Sequence, residues 1–272
     1  MKKIFPFFLI ILILFSGCSV KETVQLHDPS RIVIALLDTG VSTAAIKSDH
    51  LLAGFNYVTG TNETEDLINH GTAVASAILG CESADVTGVA PEAYILPLVI
   101  VSKQEGETIS VSPETLAQAI RDSIDVYNAD MINVSLGIQK DYSALYEAIA
   151  YAEQKGIPII SAVGNDGETG KPYYPAAYDT VLAVGSCDRN GKKSAFSQSG
   201  AEVLAPGEDI MLASRVGLPY GIKGTSFATG FVSAYAAKLL MKEPSLTPQK
   251  LFDKITQKAA FCGGYLPQKE IP

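Results

Sequence analysis

The sequence contains little of what zinc-binding and disulfide-rich proteins need. It has three histidines and four cysteines, and no C-x-x-C or histidine-rich spacing typical of a zinc site. The number of cysteines does not support a disulfide framework either; they are Cys18, Cys81, Cys187 and Cys262. We therefore expect neither a metal site of this kind nor a fold that depends on several disulfides.

Basic residues are outnumbered by acidic ones. The chain has 21 Lys and Arg against 29 Asp and Glu, which gives a net charge of −8 and a pI of about 4.9. A nucleic-acid partner is not expected, because binding to phosphates requires a positive surface and no basic run supplies one. Hydrophobic residues make up 47% of the chain, which is enough for a large core.

The N-terminus has the pattern of a bacterial lipoprotein signal. Met1-Lys2-Lys3 precedes an apolar run, residues 4–15, that is shorter than the roughly 20 residues needed to span a bilayer. Phe15-Ser16-Gly17-Cys18 then resembles a lipobox, in which the cysteine is acylated and becomes the mature N-terminus. The resemblance implies a signal peptide over residues 1–17, a tether over 18–30, and anchoring through Cys18 at the extracytoplasmic face of the cell membrane. The alternative is an ordinary signal peptide with a chance cysteine.

Apolar segments of strand type alternate with helical patterns from residue 31 onward. This alternation predicts an α/β class with a mainly parallel sheet, and residues 31–260 form one predicted domain, followed by a tail over 261–272. Residues 102–112 are expected to be a polar loop, and residues 214–224 to lead into a helix that carries Ser226. The predicted strands are 32–37, 94–101, 131–135, 157–163 and 181–186, and the other predicted helices are 113–127, 142–155, 247–258 and one opened by His70.

Three residues suited to nucleophilic catalysis lie at predicted element ends. Asp38 follows a central strand, His70 opens a helix of small residues, and Ser226 lies where a loop becomes a helix. In serine hydrolases the serine attacks a carbonyl, the histidine takes its proton, and the aspartate orients the histidine. Each residue alone has a plain structural interpretation, as a turn aspartate, an exposed histidine or a capping serine.

The motifs around these residues resemble those of the subtilases, the subtilisin-like family of serine endopeptidases. Leu37-Asp38-Thr39-Gly40-Val41 is similar to the aspartate motif, the segment 70–75 to the histidine motif, and the segment 224–229 to the serine motif. The turns 88–91 and 204–207 also match signature turns of the family. The resemblance covers about residues 31–258 and preserves the order Asp, His, Ser.

The resemblance implies a three-layer fold, with a mainly parallel central sheet flanked by helices, and hydrolysis of polypeptides through a triad of Asp38, His70 and Ser226. It assigns the oxyanion hole to Asn165 and the backbone N–H of Ser226. No cofactor is required for this chemistry, and the protein is expected to be a monomer. The implied substrate-binding residues are Ser135, Leu136, Gly137, Ala162 and Gly164.

Several positions depart from the family pattern. Phe227 and Gly230 replace a usual methionine and proline, and Lys47 replaces an acidic residue that commonly binds structural calcium. Calcium is therefore not predicted at that site, although another site is possible. Tyr173 is expected to narrow the pocket for the residue before the cleaved bond, and Asp166 at its rim is expected to favour a basic residue.

Two other functions are compatible with the sequence. One is a restricted processing protease that trims a leader peptide, which a short segment before residue 31 would suit. The other is a peptide-binding relative without catalytic activity, which the presence of Asp38, His70, Asn165 and Ser226 disfavours. Digestion of casein separates the first of these from a broad protease.

Overall fold

The structure is a computed structural model that describes residues 31–167 and 169–261. The predicted signal peptide, Cys18, the tether and the tail beyond Phe261 lie outside the described residues. The helices are α1 (Gly71–Leu79), α2 (Pro113–Asp125), α3 (Ser143–Lys155), α4 (Thr225–Lys242) and α5 (Pro248–Phe261). The strands are β1 (Val33–Asp38), β2 (Phe55–Asn56), β3 (Gly80–Cys81), β4 (Val86–Thr87), β5 (Tyr94–Val99), β6 (Val101–Gln104), β7 (Glu107–Ser110), β8 (Met131–Val134), β9 (Ile159–Ala162), β10 (Leu182–Cys187), β11 (Val203–Pro206), β12 (Ile210–Ala213) and β13 (Pro219–Ile222).

Seven strands form one sheet in the order β11-β10-β9-β8-β1-β5-β2, and all of its neighbouring pairs are parallel. The chain first builds the sheet on one side of β1, through β2 and β5, and then continues on the other side with β8 to β11. In open α/β sheets, ligands bind at the carboxyl ends of the strands where the direction of winding changes. Asp38, the last residue of β1, lies at this position.

The two faces of the sheet are covered by different helices. Alternate residues of β1 point to opposite faces, so that Ile34 and Leu36 contact the core under α1, α4 and α5. Ala35 and Leu37 contact the core under α2 and α3. The three-layer α/β fold with a parallel central sheet flanked by helices is therefore confirmed.

Local sequence signals explain several helix ends. The hydroxyl of Ser112 accepts a hydrogen bond from the backbone N–H of Thr115, and Pro113 occupies the first turn of α2, as predicted. Gly156 ends α3 in the left-handed conformation, with φ of 73°. Helix α5 continues to Phe261, three residues beyond its predicted end.

The predicted polar loop over residues 102–112 was wrong, because most of this segment forms the antiparallel hairpin of β6 and β7. Glu105 and Gly106 both have positive φ at its turn, which suits the twist of a two-residue hairpin. Residues 214–224, which lead into α4 as expected, contain a strand that was not predicted, β13, which pairs with β12. The turn motif 204–207 is largely strand β11.

Two further findings concern the cysteines and the apolar character of the helices. Cys81 and Cys187 are both buried free thiols. Among the described residues, no helix is both long enough and apolar enough to cross a membrane.

Candidate active site

The fold brings three of the predicted residues, His70, Asn165 and Ser226, to one cleft and places Asp38 behind His70. Asp38 ends β1, His70 immediately precedes α1, Asn165 follows β9, and Ser226 is the second residue of α4. The cleft beside them has a volume of about 330 Å³. Its lining residues are Ile68, Asn69, His70, Asn165, Tyr220, Ile222, Lys223, Gly224, Ser226 and Phe227.

Asp38 and His70 form a close pair at one side of this cleft. Nδ1 of His70 lies 2.7 Å from Oδ1 of Asp38, a residue that is only 2% exposed. Because a carboxylate can only accept a hydrogen bond, Nδ1 carries the proton and Nε2 keeps a free lone pair. Oδ1 also accepts a bond from the backbone N–H of Thr39, at 2.7 Å. This arrangement fixes the imidazole in the tautomer that a general base needs.

The surroundings of His70 act on its pKa in opposite directions. Burial lowers the pKa of the imidazole, because it disfavours the charged form. The negative charge of Asp38 and its hydrogen bond, together with the charge of Asp66, more than offset this effect. The pKa of His70 is therefore raised above its ordinary value of 6.5. An imidazolium formed during a reaction is stabilised at this place.

The hydroxyl of Ser226 points to a backbone acceptor. Its Oγ donates a hydrogen bond to the carbonyl oxygen of Ser135 at 2.8 Å, and the Ser135 hydroxyl donates in return to the carbonyl oxygen of Ser226 at 3.2 Å. Ser226 is 7% exposed. To transfer its proton to His70, the hydroxyl has to leave Ser135 by rotation about the Cα–Cβ bond.

Asn165 is oriented by the start of α4. Its Oδ1 accepts bonds from the backbone N–H of Thr225 at 3.0 Å and from the Thr225 hydroxyl at 3.1 Å. Since the amide oxygen is used in this way, the amide nitrogen is the group left for the cleft. It can donate to an oxygen beside Ser226, where the positive end of the helix dipole also favours negative charge.

The five predicted substrate-binding residues lie in two segments beside Ser226. Ser135, Leu136 and Gly137 follow β8, and the carbonyl of Ser135 contacts Ser226 directly. Gly164 precedes Asn165 and has a φ of 111° that favours glycine. Ala162 is the last residue of β9 and only 3% exposed, so it supports this segment from inside the sheet.

Sequence reasoning missed a second buried carboxylate, Asp66. It is fully buried and accepts five hydrogen bonds, all between 2.7 and 2.9 Å. The donors are the hydroxyls of Thr39 and Thr72 and the backbone N–H groups of Ile68, Asn69 and Thr72. These bonds connect the segment after Asp38 to both sides of His70. The available signal was an acid four residues before the histidine in Asp66-Leu67-Ile68-Asn69-His70.

Two departures from the family pattern are accommodated by packing. The ring of Phe227 lies 5.2 Å from the imidazole of His70, centroid to centroid, so it forms part of the packing around that ring. Gly230 lies where α4 approaches α1: a Cβ added there would be 3.1 Å from Cγ1 of Val74. Helix α4 begins at Thr225 without the usual proline.

The position that the family resemblance associates with structural calcium is occupied by Lys47. Lys47 is a cation there, and its Nζ lies 3.9 Å from Glu82 on the surface. In residues 31–167 and 169–261, no three His, Cys, Asp or Glu side chains are grouped so that they could bind a metal.

Comparisons with known proteins agree with the geometry. A sequence model described as the subtilase family matches residues 30–269. The chain belongs to the subtilase family. Subtilisin DY of Bacillus licheniformis is 30% identical over 250 residues, which cover 89% of each chain. Subtilisin Savinase of Lederbergia lenta is 31% identical over 237 residues, covering 86% of this chain and 85% of its own.

Solved structures of subtilases superpose on most of the chain. A cold-adapted subtilisin-like serine proteinase has a TM-score of 0.74 and 28% identity, and covers 84% of this chain and 81% of its own. The prenylagaramide maturation protease PagA has a TM-score of 0.68 and 32% identity, and covers 83% and 82%. The protein is therefore a subtilisin-like serine endopeptidase, a hydrolase that acts on polypeptides and needs no cofactor for catalysis.

Proposed function

We propose that this subtilase cleaves peptide bonds through an acyl-enzyme formed on Ser226, with His70 as general base and acid and Asp38 as the orienting carboxylate. The observation that carries the proposal is the 2.7 Å contact between Asp38 and His70 at a cleft that also contains Ser226 and Asn165. Membership of the family supports the same assignment.

The residues at the cleft can supply each step of this reaction once the Ser226 hydroxyl has turned from Ser135 towards His70. Oγ of Ser226 forms a bond to the substrate carbonyl carbon while its proton passes to Nε2 of His70. The carbonyl oxygen becomes negative and accepts hydrogen bonds from the Asn165 amide and the backbone N–H of Ser226. His70 then returns the proton to the leaving nitrogen, and the peptide C–N bond breaks. In the second half of the reaction, His70 takes a proton from a water molecule, whose oxygen attacks the ester carbon; the proton passes to Oγ of Ser226 as the C–O bond breaks.

A fluorophosphonate probe tests the triad without knowledge of the substrate. We expect the soluble chain from residue 19 onward to be labelled, and the Ser226→Ala variant to lose the label. Ser245→Ala is the matched control, because Ser245 is exposed in the turn after α4, and it should label like the wild-type protein. Folded wild-type protein that takes up no label would contradict the proposal and favour a peptide-binding relative without activity.

A restricted processing role is the second candidate. One specific observation favours it: the structural likeness to PagA, which is described as a maturation protease. Incubation with casein separates the two candidates. Many fragments would indicate a broad protease, whereas labelled enzyme that leaves casein intact would indicate a restricted one.

We also propose that the enzyme works as a monomer at the extracytoplasmic face of the bacterial cell membrane, held by acyl chains on Cys18. The support is the charged start, the short apolar run and Phe15-Ser16-Gly17-Cys18. Metabolic labelling with palmitate, followed by membrane fractionation, tests the anchor. We expect Cys18→Ser to lose both the label and the membrane association. A wild-type protein that is secreted without label would contradict the anchor.

A further inference from the structure

The side chain of Tyr173 fills the space between the two substrate-binding segments. A Cβ added to Gly137 would lie 2.5 Å from Cβ and 3.2 Å from Cδ2 of Tyr173. A Cβ added to Gly164, on the opposite segment, would also lie 3.2 Å from Cδ2. The ring therefore occupies the slot that these two glycines border.

Hydrogen bonds hold both ends of Tyr173. Its backbone N–H donates to the carbonyl oxygen of Val163 at 3.0 Å, and the next residue, Tyr174, exchanges two bonds of 2.9 Å with Ile138. Its hydroxyl donates to a carboxylate oxygen of Asp166 and accepts a bond from the side chain of Gln139 at 3.0 Å. The bond to Asp166 raises the pKa of the Tyr173 hydroxyl, so the hydroxyl stays a donor.

Asp166 has a contact that sequence did not predict, because one of its carboxylate oxygens accepts the hydroxyl of Tyr173. The carboxylate keeps its charge and its second oxygen, so it can still attract a basic side chain. To enter the slot, however, such a side chain would have to displace the ring of Tyr173, which occupies it.

The opposite wall is braced from behind by Gln198, which is only 1% exposed. Its backbone N–H donates to the carbonyl of Gly164 at 3.2 Å, and its amide nitrogen donates to the carbonyl of Lys171. Because a buried side chain fills the space behind Gly164, this segment has little room to withdraw from the ring.

The position of His70 shows which part of a substrate would meet Tyr173. His70 must deliver a proton to the leaving nitrogen, so the leaving group lies on its side, in the open cleft with Tyr220 and Ile222. The carbonyl that is attacked then lies on the other side of Ser226, where Ser135 contacts Ser226 from one segment and Asn165 contacts the start of α4 from the other. From there the side chain of that residue would point into the slot between Gly137 and Gly164, which the ring occupies.

We propose that Tyr173 restricts the residue on the carbonyl side of the cleaved bond to glycine or alanine. The inference rests on the proposed triad, and it names the substrate class of the same site. A hydrogen or a methyl group fits beside the ring, whereas a longer side chain meets it. To admit such a side chain, Tyr173 would have to break both hydroxyl contacts and turn out of the slot.

Internally quenched peptides that differ only at this residue test the inference. With Gly, Ala, Leu, Phe and Arg at the position, we expect kcat/KM of the wild-type enzyme to be at least about 100-fold higher for Gly and Ala than for Phe or Arg. Tyr173→Gly should raise kcat/KM for the Phe peptide by about 100-fold or more. Tyr173→Phe keeps the ring and is the matched control, which should preserve the wild-type order.

The outcomes separate this inference from the proposed function. Wild-type enzyme that cleaves Phe or Arg peptides as fast as the Ala peptide would overturn the restriction and leave the triad in place. Fluorophosphonate labelling without cleavage of the Gly or Ala peptide would do the same. Absence of both labelling and cleavage would refute the triad, and the inference with it. If Tyr173→Gly does not fold, the ranking of the five peptides by kcat/KM in the wild-type enzyme and in Tyr173→Phe still tests the restriction.

Discussion

Replacing Asp66 by asparagine should weaken both the fold around His70 and the base itself. The amide group has one acceptor oxygen, so one of the two carboxylate oxygens becomes a donor. If Oδ2 is the one replaced, the backbone N–H and hydroxyl of Thr72 both lose their acceptor. Each buried donor left without an acceptor costs about 1–3 kcal/mol, so the pair costs about 2–6 kcal/mol. That is a large part of the roughly 5–15 kcal/mol that stabilises a domain.

Thermal unfolding measures this effect. At about 2–4 °C per kcal/mol for a domain of this size, even the lower bound lowers Tm by about 4–8 °C. Asp253→Asn is the matched control, because Asp253 is exposed on α5 and the same charge is lost; Tm should change little there. Asp66→Asn should also lower the pKa of His70, because the charge of Asp66 is one of the charges that raise it. A Tm within about 1 °C of wild type would refute the reasoning.

Three other predictions concern the catalytic residues. Since His70 must be neutral to act as base and its pKa is raised, kcat/KM should increase with pH through a midpoint above 6.5; a midpoint at or below 6.5 would contradict the stabilising effect of Asp38. Asn165→Ala should lower kcat roughly 10²–10³-fold in steady-state kinetics, a magnitude measured in a subtilisin, with little change in KM; an equal rise in KM would point to substrate binding instead. Gly71→Ala would place a methyl carbon 2.2 Å from the carbonyl oxygen of Gly40 and 3.1 Å from Oδ1 of Asp38, so both Tm and fluorophosphonate labelling should fall. The matched control is Gly221→Ala, whose added Cβ would contact only the sulfur of Met211, at 3.5 Å, and which should label normally. Equal labelling of both variants would show that the site tolerates a methyl group at residue 71.

The layered fold could be predicted from sequence because its central strands are continuous apolar runs. β1, β8 and β9 are buried on both faces, which favours apolar residues at consecutive rather than alternate positions; each strand contains one buried polar exception, Asp38, Asn133 or Ser161. The antiparallel pairs β6–β7 and β12–β13 gave no such signal. All four residues of β7 are exposed, and β13 contains proline and glycine, which are rare inside strands.

The candidate site was predictable where a residue type and its position at an element end coincide, as for Asp38, His70 and Ser226. Asp66 was missed because an acid in a polar stretch looks like any loop residue, and its burial depends on partners that only the fold brings near. Tyr173 was expected to narrow a pocket, but the pairing of its hydroxyl with Asp166 depends on side-chain orientation, which no spacing encodes. The hydrogen bond from the Ser226 hydroxyl to the carbonyl oxygen of Ser135 also depends on side-chain orientation, so it could not be predicted either.

The order of the elements along the chain has a consequence for synthesis. Asp38 and His70 belong to the first third of the sequence, whereas Ser226 lies on α4, after every strand of the sheet. Helix α4 is buried on nearly all sides, packed on β8 to β11 and against α1 and α5. A growing chain therefore contains Asp38 and His70 long before Ser226. With these three residues as the proposed triad, the chain cannot cleave a peptide bond by this mechanism until the whole sheet has been made.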